Sequence, residues 1–137
     1  MPKIRQGLNG REAILLIDDD VYFRFAIATE LRAAGYLVVC AENGERGIRM
    51  IEDSERPITS INMVITDLVM PRKNGLHFCN ELRTIDDEMP VLVITGFLSP
   101  EVEKKFRKIG CIDFLEKPFS PEELVRKVKE LLLKEVC

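Results

Sequence analysis

Three consecutive aspartates, Asp18-Asp19-Asp20, directly follow one apolar run of the chain, and Asp67 closes a later run, Met63–Thr66. Thr95-Gly96 follows another such run, and Glu116-Lys117-Pro118 stands just after the last. Carboxylates within a few ångströms of one another repel, so such a cluster persists only if a cation joins them or a proton neutralises one. An all-oxygen cluster with room for water suits Mg²⁺, which takes one or two carboxylates, keeps several waters and shares phosphate oxygens. A carboxylate nucleophile, a metal to neutralise developing charge, and a lysine and a threonine hydroxyl to hold the remaining oxygens are the parts of a phosphoryl-transfer site. Each residue taken singly has a plainer use. Asp20 immediately precedes a helix and reads as its cap, Lys117 as a solvated turn residue and Thr95 as a strand-end cap. What favours the chemical reading is their common topological position.

That position requires neighbouring parallel strands. Short apolar runs rich in branched side chains occur at 13–17, 36–40, 63–66, 91–94 and 111–115, each separated from the next by a longer amphipathic stretch. Phe23, Ile27, Leu31 and Ala34 recur at helical spacing with Gly35 as a stop, and Val102, Phe106 and Ile109 do the same before Gly110. Ser99-Pro100-Glu101 opens that fourth helix. Residues 44–53 and 75–86 give the second and third helices, and 54–62 a loop. Ser120-Pro121-Glu122-Glu123 has the form of a capping box before the stripe Leu124, Val128, Leu131 and Leu132. Buried runs alternating strictly with helices imply a five-stranded parallel sheet in a doubly wound α/β fold. Ligands of such sheets bind outside the carboxyl ends of the strands, where the polar residues above stand.

The 137 residues suffice for one domain, and 46% hydrophobic residues supply its core without staples. Twenty Lys and Arg against 23 Asp and Glu leave a net charge of −3, which argues against direct nucleic-acid binding. No apolar run approaches the roughly 18 residues of a bilayer span, and the opening segment lacks the apolar middle of a secretory signal. A cytoplasmic protein with no membrane contact is therefore expected. Residues 1–11, with Lys3, Arg5 and Arg11, read as a flexible arm. Cys40, Cys79, Cys111 and Cys137 show no CxxC pair and read as buried free thiols rather than a disulfide or metal site.

ILLIDDD, MVITDLVMPRKNG, PVLVITGF and GCIDFLEKPFSPEEL resemble, in order and spacing, the segments of the response-regulator receiver domain of two-component signalling. The resemblance covers about residues 12–135, so a receiver domain over 12–137 is expected after the arm. It implies the flavodoxin-like, CheY-like (βα)₅ fold with strand order 2-1-3-4-5. It also implies that Asp67 is the phosphoacceptor, that Asp19 binds Mg²⁺ directly and Asp18 through water, and that the backbone carbonyl of Val69 is a further ligand beside Asp67. By the same resemblance Thr95 is the switch hydroxyl, Phe114 the switch aromatic and Lys117 the phosphoryl-binding lysine, followed by a cis peptide before Pro118. Val69 and Phe97 flank the site and bear on the lifetime of the phosphoryl state. The implied partners are a sensor histidine kinase or phosphotransfer protein, and a phosphorylation-dependent dimer or output domain engaged through the fourth helix, fifth strand and fifth helix. The chain is then either a stand-alone receiver or the amino-terminal piece of a longer regulator. Gly47, where Ala is usual, and the long 54–62 loop are departures that leave the chemistry intact.

A phospho-switch that acts only on its own phosphoryl group is thus the leading reading. The alternative is an enzyme, a Mg²⁺-dependent phosphatase with an Asp nucleophile, because Asp18-Asp19-Asp20 contains Asp-x-Asp. Tyr22 stands where that class has Thr or Val, and the chain is short for it. A flavin-binding fold-mate is disfavoured, since three carboxylates at the first turn would repel an FMN phosphate. His77 reads as a surface helix residue, Met63, Met70 and Met89 as packing residues, and Lys104, Lys105, Arg107 and Lys108 as a solvated basic face or a docking face.

Overall fold

The computed structural model describes residues 11–53, 61–68, 74–110 and 112–133. Of the expected arm only Arg11 falls among them, and it is exposed. Of the 54–62 loop only Ile61 and Asn62 do; Val69, Met70, Cys111 and Cys137 lie outside the described residues. The elements run β1 (Ala13–Ile17), α1 (Val21–Ala33), β2 (Leu37–Ala41), α2 (Gly44–Glu52), β3 (Met63–Asp67), α3 (Gly75–Ile85), β4 (Val91–Thr95), α4 (Pro100–Arg107), β5 (Ile112–Glu116) and α5 (Pro121–Leu133). Every strand pairing is parallel, in the order β2-β1-β3-β4-β5. This is the flavodoxin-like (βα)₅ arrangement expected above.

Alternation along the strands splits the core into two layers. Ile14, Leu16, Ile65 and Leu92 face α1 and α5 through Ile27, Leu31, Leu124 and Val128. Leu15, Ile17, Val64 and Val93 face α2, α3 and α4 through Ile48, Phe78, Leu82 and Phe106. All five residues of β1 and all five of β4 are buried, which explains the unbroken apolar sequence of β1 and of β4 up to Ile94. Met63 and Met89 are buried, as expected of packing residues. Cys79 is a buried free thiol that burial pushes up to about 12, and Cys40 is free and half-buried.

Strand ends differ from the apolar runs by single residues. β2 starts at Leu37 rather than at 36, β5 is described from Ile112, the expected first residue 111 lying outside the described residues, and β3 and β4 continue to Asp67 and Thr95. Asp67 pairs in register with Ile94, and Thr95 with Glu116, so the backbone ladder outlasts the apolar side chains. α4 is shorter than its periodicity, ending at Arg107; Ile109 lies past the helix yet still packs on the core.

The helix starts follow their caps. Asp20 accepts hydrogen bonds from the backbone N–H groups of Tyr22 and Phe23, at 2.9 and 3.1 Å, and Ser99 accepts from Val102. Ser120 and Glu123 exchange the reciprocal bonds of a capping box. Gly35 and Gly110, the two expected stops, have φ of +102° and +108°, where a side chain would be strained. A Cβ on Gly47 would stand 2.5 Å from Ile17 Cδ1, so a larger residue at that place in α2 would require the end of the Ile17 side chain to shift. Among the described residues no helix is long and apolar enough to cross a membrane.

Asn62 carries a role that its loop-like sequence conceals. Its side chain is buried, its Oδ1 accepts from Ala13 N–H at 2.7 Å, and its own N–H donates to the Ala13 carbonyl at 2.8 Å. It thereby anchors the start of β1 where regular pairing with β3 has not begun. Asn62→Ala leaves the Ala13 N–H buried without its acceptor, and should cost about 1–3 kcal/mol, read as a lower urea midpoint at unchanged slope. An unchanged midpoint would show that water replaces the side chain at no cost.

Candidate functional site

β1 delivers three aspartates to three different environments. Asp18 is only 3% exposed; its Oδ1 accepts from Asp20 N–H at 2.8 Å, and its backbone carbonyl accepts from Arg24 Nη1 at 2.6 Å. Asp19 is exposed, and Asp20 is the exposed cap of α1. On the next strand, β3 ends in Asp67, whose half-buried carboxylate has Lys117 Nζ 3.5 Å from Oδ2. Lys117 follows β5, its backbone N–H donates to the Thr95 carbonyl at 2.8 Å, and its peptide bond to Pro118 is cis. Thr95 itself ends β4, one residue beyond the register partner of Asp67. The ends of four strands therefore bring together Asp18, Asp19, Asp67, Thr95 and Lys117.

These charges act on one another. Burial pushes the Asp18 carboxyl up to about 6; its bond from the Asp20 N–H opposes this, Asp67 and Asp19 raise it further, and Lys117 lowers it. Among the described residues no three His, Cys, Asp or Glu side chains form a group able to enclose an ion by themselves. The available donors are hard carboxylate oxygens with a half-open approach, and Asp18 has a second oxygen to offer beyond the one bonded to Asp20. That set fits a cation which retains water, such as Mg²⁺, and does not fit Zn²⁺, which prefers nitrogen and sulfur.

Close approach also shapes the far side of Asp67. Gly75, the first residue of α3, donates its N–H to the Leu68 carbonyl at 2.9 Å, and a Cβ there would stand 2.8 Å from the Asp67 carbonyl oxygen. Only glycine lets α3 start this near the carboxylate-bearing strand end.

The chain matches the model of the response regulator receiver domain over residues 14–129. It belongs to the response regulator receiver family. It is 34% identical over 127 residues to a "Probable transcriptional regulatory protein" of Picosynechococcus, covering 91% of this chain and 51% of that one. It is 36% identical over 119 residues to the response regulator MprA of Mycolicibacterium vanbaalenii, covering 87% and 49%. The chain thus spans about half the length of these two relatives. The chemotaxis protein CheY4 of Vibrio cholerae superposes with a TM-score of 0.78 at 26% identity, covering 88% of this chain and 98% of that one. A CheY-like receiver domain protein of Methanospirillum hungatei gives 0.79 at 25% identity, covering 89% and 94%.

The receiver's Thr95 hydroxyl is buried and already bonded: it donates to the Phe97 carbonyl at 2.9 Å and accepts from the Phe97 N–H at 3.2 Å. Phe114 sits inside rather than out, 7% exposed, edge-on to Phe106 of α4 with ring centroids 5.6 Å apart. The Arg107 guanidinium lies 5.2 Å from the Phe114 ring centroid and bonds Glu103, so one member of the basic stretch is engaged while Lys104, Lys105 and Lys108 are exposed. His77 is an exposed helix residue, as expected. Phe97 is 74% exposed. Gly75 and Asn62 carried no chemical signal in the sequence, and Phe23 was legible only as one residue of a helical stripe; its ring lies 4.3 Å from Lys117 Nζ.

The raised Asp18 carboxyl sets a pH dependence. The folded state binds this proton more tightly than the unfolded chain, so the group contributes stability that is full below its ordinary value of 3.8 and is lost as pH rises through about 6. In metal-free protein, the stability of wild type relative to Asp18→Asn should fall across that window, as read from urea midpoints. Added Mg²⁺ should restore wild type at the upper end, where the carboxylate is ionised, and do little at the lower end. A difference that is flat with pH would contradict the shift.

Proposed function

We propose that this receiver takes a phosphoryl group onto Asp67 from the phosphohistidine of a sensor histidine kinase or phosphotransfer protein. The observation that carries the reading is the pairing of Asp67, half-buried but reachable, with the Lys117 ammonium at 3.5 Å beside the buried Asp18. An Asp67 carboxylate oxygen attacks phosphorus, a new O–P bond forms as the N–P bond breaks, and the electron pair leaves on the imidazole, which takes a proton from solvent. Asp18, Asp19, Asp67 and the Val69 carbonyl would hold Mg²⁺, which when bound neutralises charge developing on the phosphoryl oxygens. Lys117 balances one of those oxygens.

Thr95 supplies the switch. To reach the phosphoryl group its hydroxyl must give up both bonds to Phe97, which frees the segment joining β4 to α4. Because Phe114 is already buried against Phe106, the response is expressed less by a ring moving inward than by α4 resettling over a ring that stays inside. The face of α4, β5 and α5 passes the signal to an output domain or a second copy. The two curated relatives above are named as regulators, one of them transcriptional, so control of transcription in the cytoplasm, without direct nucleic-acid contact by this chain, is the favoured output. The unit is the receiver at 12–137, and turnover of free phosphate esters is not part of its work: Asp20, the acid that a phosphatase of the Asp-x-Asp type would use, is engaged as the cap of α1.

Incubation with acetyl phosphate and Mg²⁺ should add one phosphoryl group by intact mass, and Asp67→Asn should add none. Equal labelling of that variant would remove Asp67 from its role. Thr95→Ala should still be phosphorylated, yet show much smaller amide-shift changes in α4 on beryllofluoride binding. Changes identical to wild type would contradict the coupling.

A further inference from the structure

Lys117 Nζ has a second neighbour besides Asp67. The ring centroid of Phe23 is 4.3 Å away, within the distance at which the negative face of an aromatic ring attracts an ammonium. Phe23 belongs to the first turn of α1, and its backbone N–H is one of the two held by the Asp20 carboxylate, at 3.1 Å. Its ring is also set against Phe119, edge-on at 82° with centroids 6.3 Å apart. The ring is therefore fixed from both ends, by a helix cap on its backbone and by an aromatic neighbour on its side.

Lysine is a flexible four-carbon stem carrying a compact charge, and it must be waiting where phosphoryl oxygens arrive. The Lys117 side chain is 38% exposed, so its packing alone does not restrain it. A further carboxylate would restrain it at the expense of adding negative charge to a site that already gathers Asp18, Asp19 and Asp67. A neutral ring attracts the ammonium without adding charge, accepting a proton or competing for a cation.

We infer that Phe23 is a positioning residue for phosphoryl transfer, its ring face holding the Lys117 ammonium beside Asp67 before the phosphoryl group arrives. The inference rests on Asp67 being the phosphoacceptor. It also gives Asp20, which binds nothing in the reaction, a role through the ring whose backbone it pins.

A purely structural role for Phe23 predicts dependence on size and packing, whereas positioning by the ring face predicts dependence on ring charge. The two separate when phenylalanine at 23 is replaced, in the full chain, by 4-fluoro-, 3,5-difluoro- and 3,4,5-trifluorophenylalanine, which change shape little and weaken the face stepwise. Phosphorylation by acetyl phosphate should slow with each fluorine, reaching roughly two- to five-fold, the size expected of an exposed cation–π contact, while urea midpoints stay in place. Phe23→Leu should show at least as large a loss. A flat series, or one whose rates merely follow the midpoints, overturns the inference. Asp67→Asn in parallel separates the two levels: if it labels like wild type, the acceptor reading falls and this inference with it, whereas a silent Asp67→Asn with a flat series removes the role of Phe23 alone.

Discussion

The Asp18 carboxyl is held almost out of water in the field of Asp67 and Asp19, an arrangement that is unfavourable unless a proton or a cation joins it. Among the described residues, the Lys117 ammonium near Asp67, part-exposed and screened, faces the carboxylates of Asp18, Asp19 and Asp67, an imbalance of negative charge. On the function proposed above, a divalent cation and, through it, a phosphoryl group would offset that imbalance. A fully compensated cluster would be a structural ion-pair network with nothing left to bind.

Holding mutually repelling groups in place falls to the fold. Parallel register puts Asp18, Asp67 and Thr95 at the ends of β1, β3 and β4, and the apolar layers on both faces fix those strands. Each fully buried Leu, Ile or Phe contributes about 1.5–3 kcal/mol of transfer free energy, so the many that line β1, β3 and β4 outweigh the local repulsion. Smaller devices refine the placement. Asn62 secures the start of β1, Gly75 lets α3 begin against the Asp67 carbonyl, and the Asp20 cap orients the first turn of α1 beside the site. The members of the triple aspartate thus differ in environment and not in chemistry: Asp18 is buried, Asp19 is exposed and Asp20 caps α1.

Much of this was legible in the residues. Five branched apolar runs marked the parallel sheet, glycines and capping serines marked helix limits, and the polar residues after the runs stand together at one edge of that sheet. Boundaries slipped by a residue where backbone pairing continued past the apolar side chains, as at Asp67 and Thr95, because periodicity reports burial and not the hydrogen-bond ladder. Other features were silent for a physical reason. Asn62 looked like loop composition, since nothing local shows that its partner is Ala13, 49 residues away. Gly75 looked like an ordinary first residue of the third helix, and Phe23 like one residue of a helical stripe, since the backbone oxygen and the ammonium they approach come from other elements of the fold. The inward placement of Phe114 depends on Phe106 and Arg107 of α4, which no spacing within β5 reveals.

The central claim is that the phosphoryl group is carried by Asp67 and by none of the neighbouring carboxylates, and it can be read chemically at the residue. An acyl phosphate is reduced by borohydride, which converts the aspartate that carried it to homoserine. After phosphorylation with acetyl phosphate and Mg²⁺, borohydride treatment and peptide mass mapping should place homoserine at position 67 and leave Asp18, Asp19 and Asp20 unchanged. Homoserine at any of the three β1 aspartates, with position 67 intact, would contradict the account.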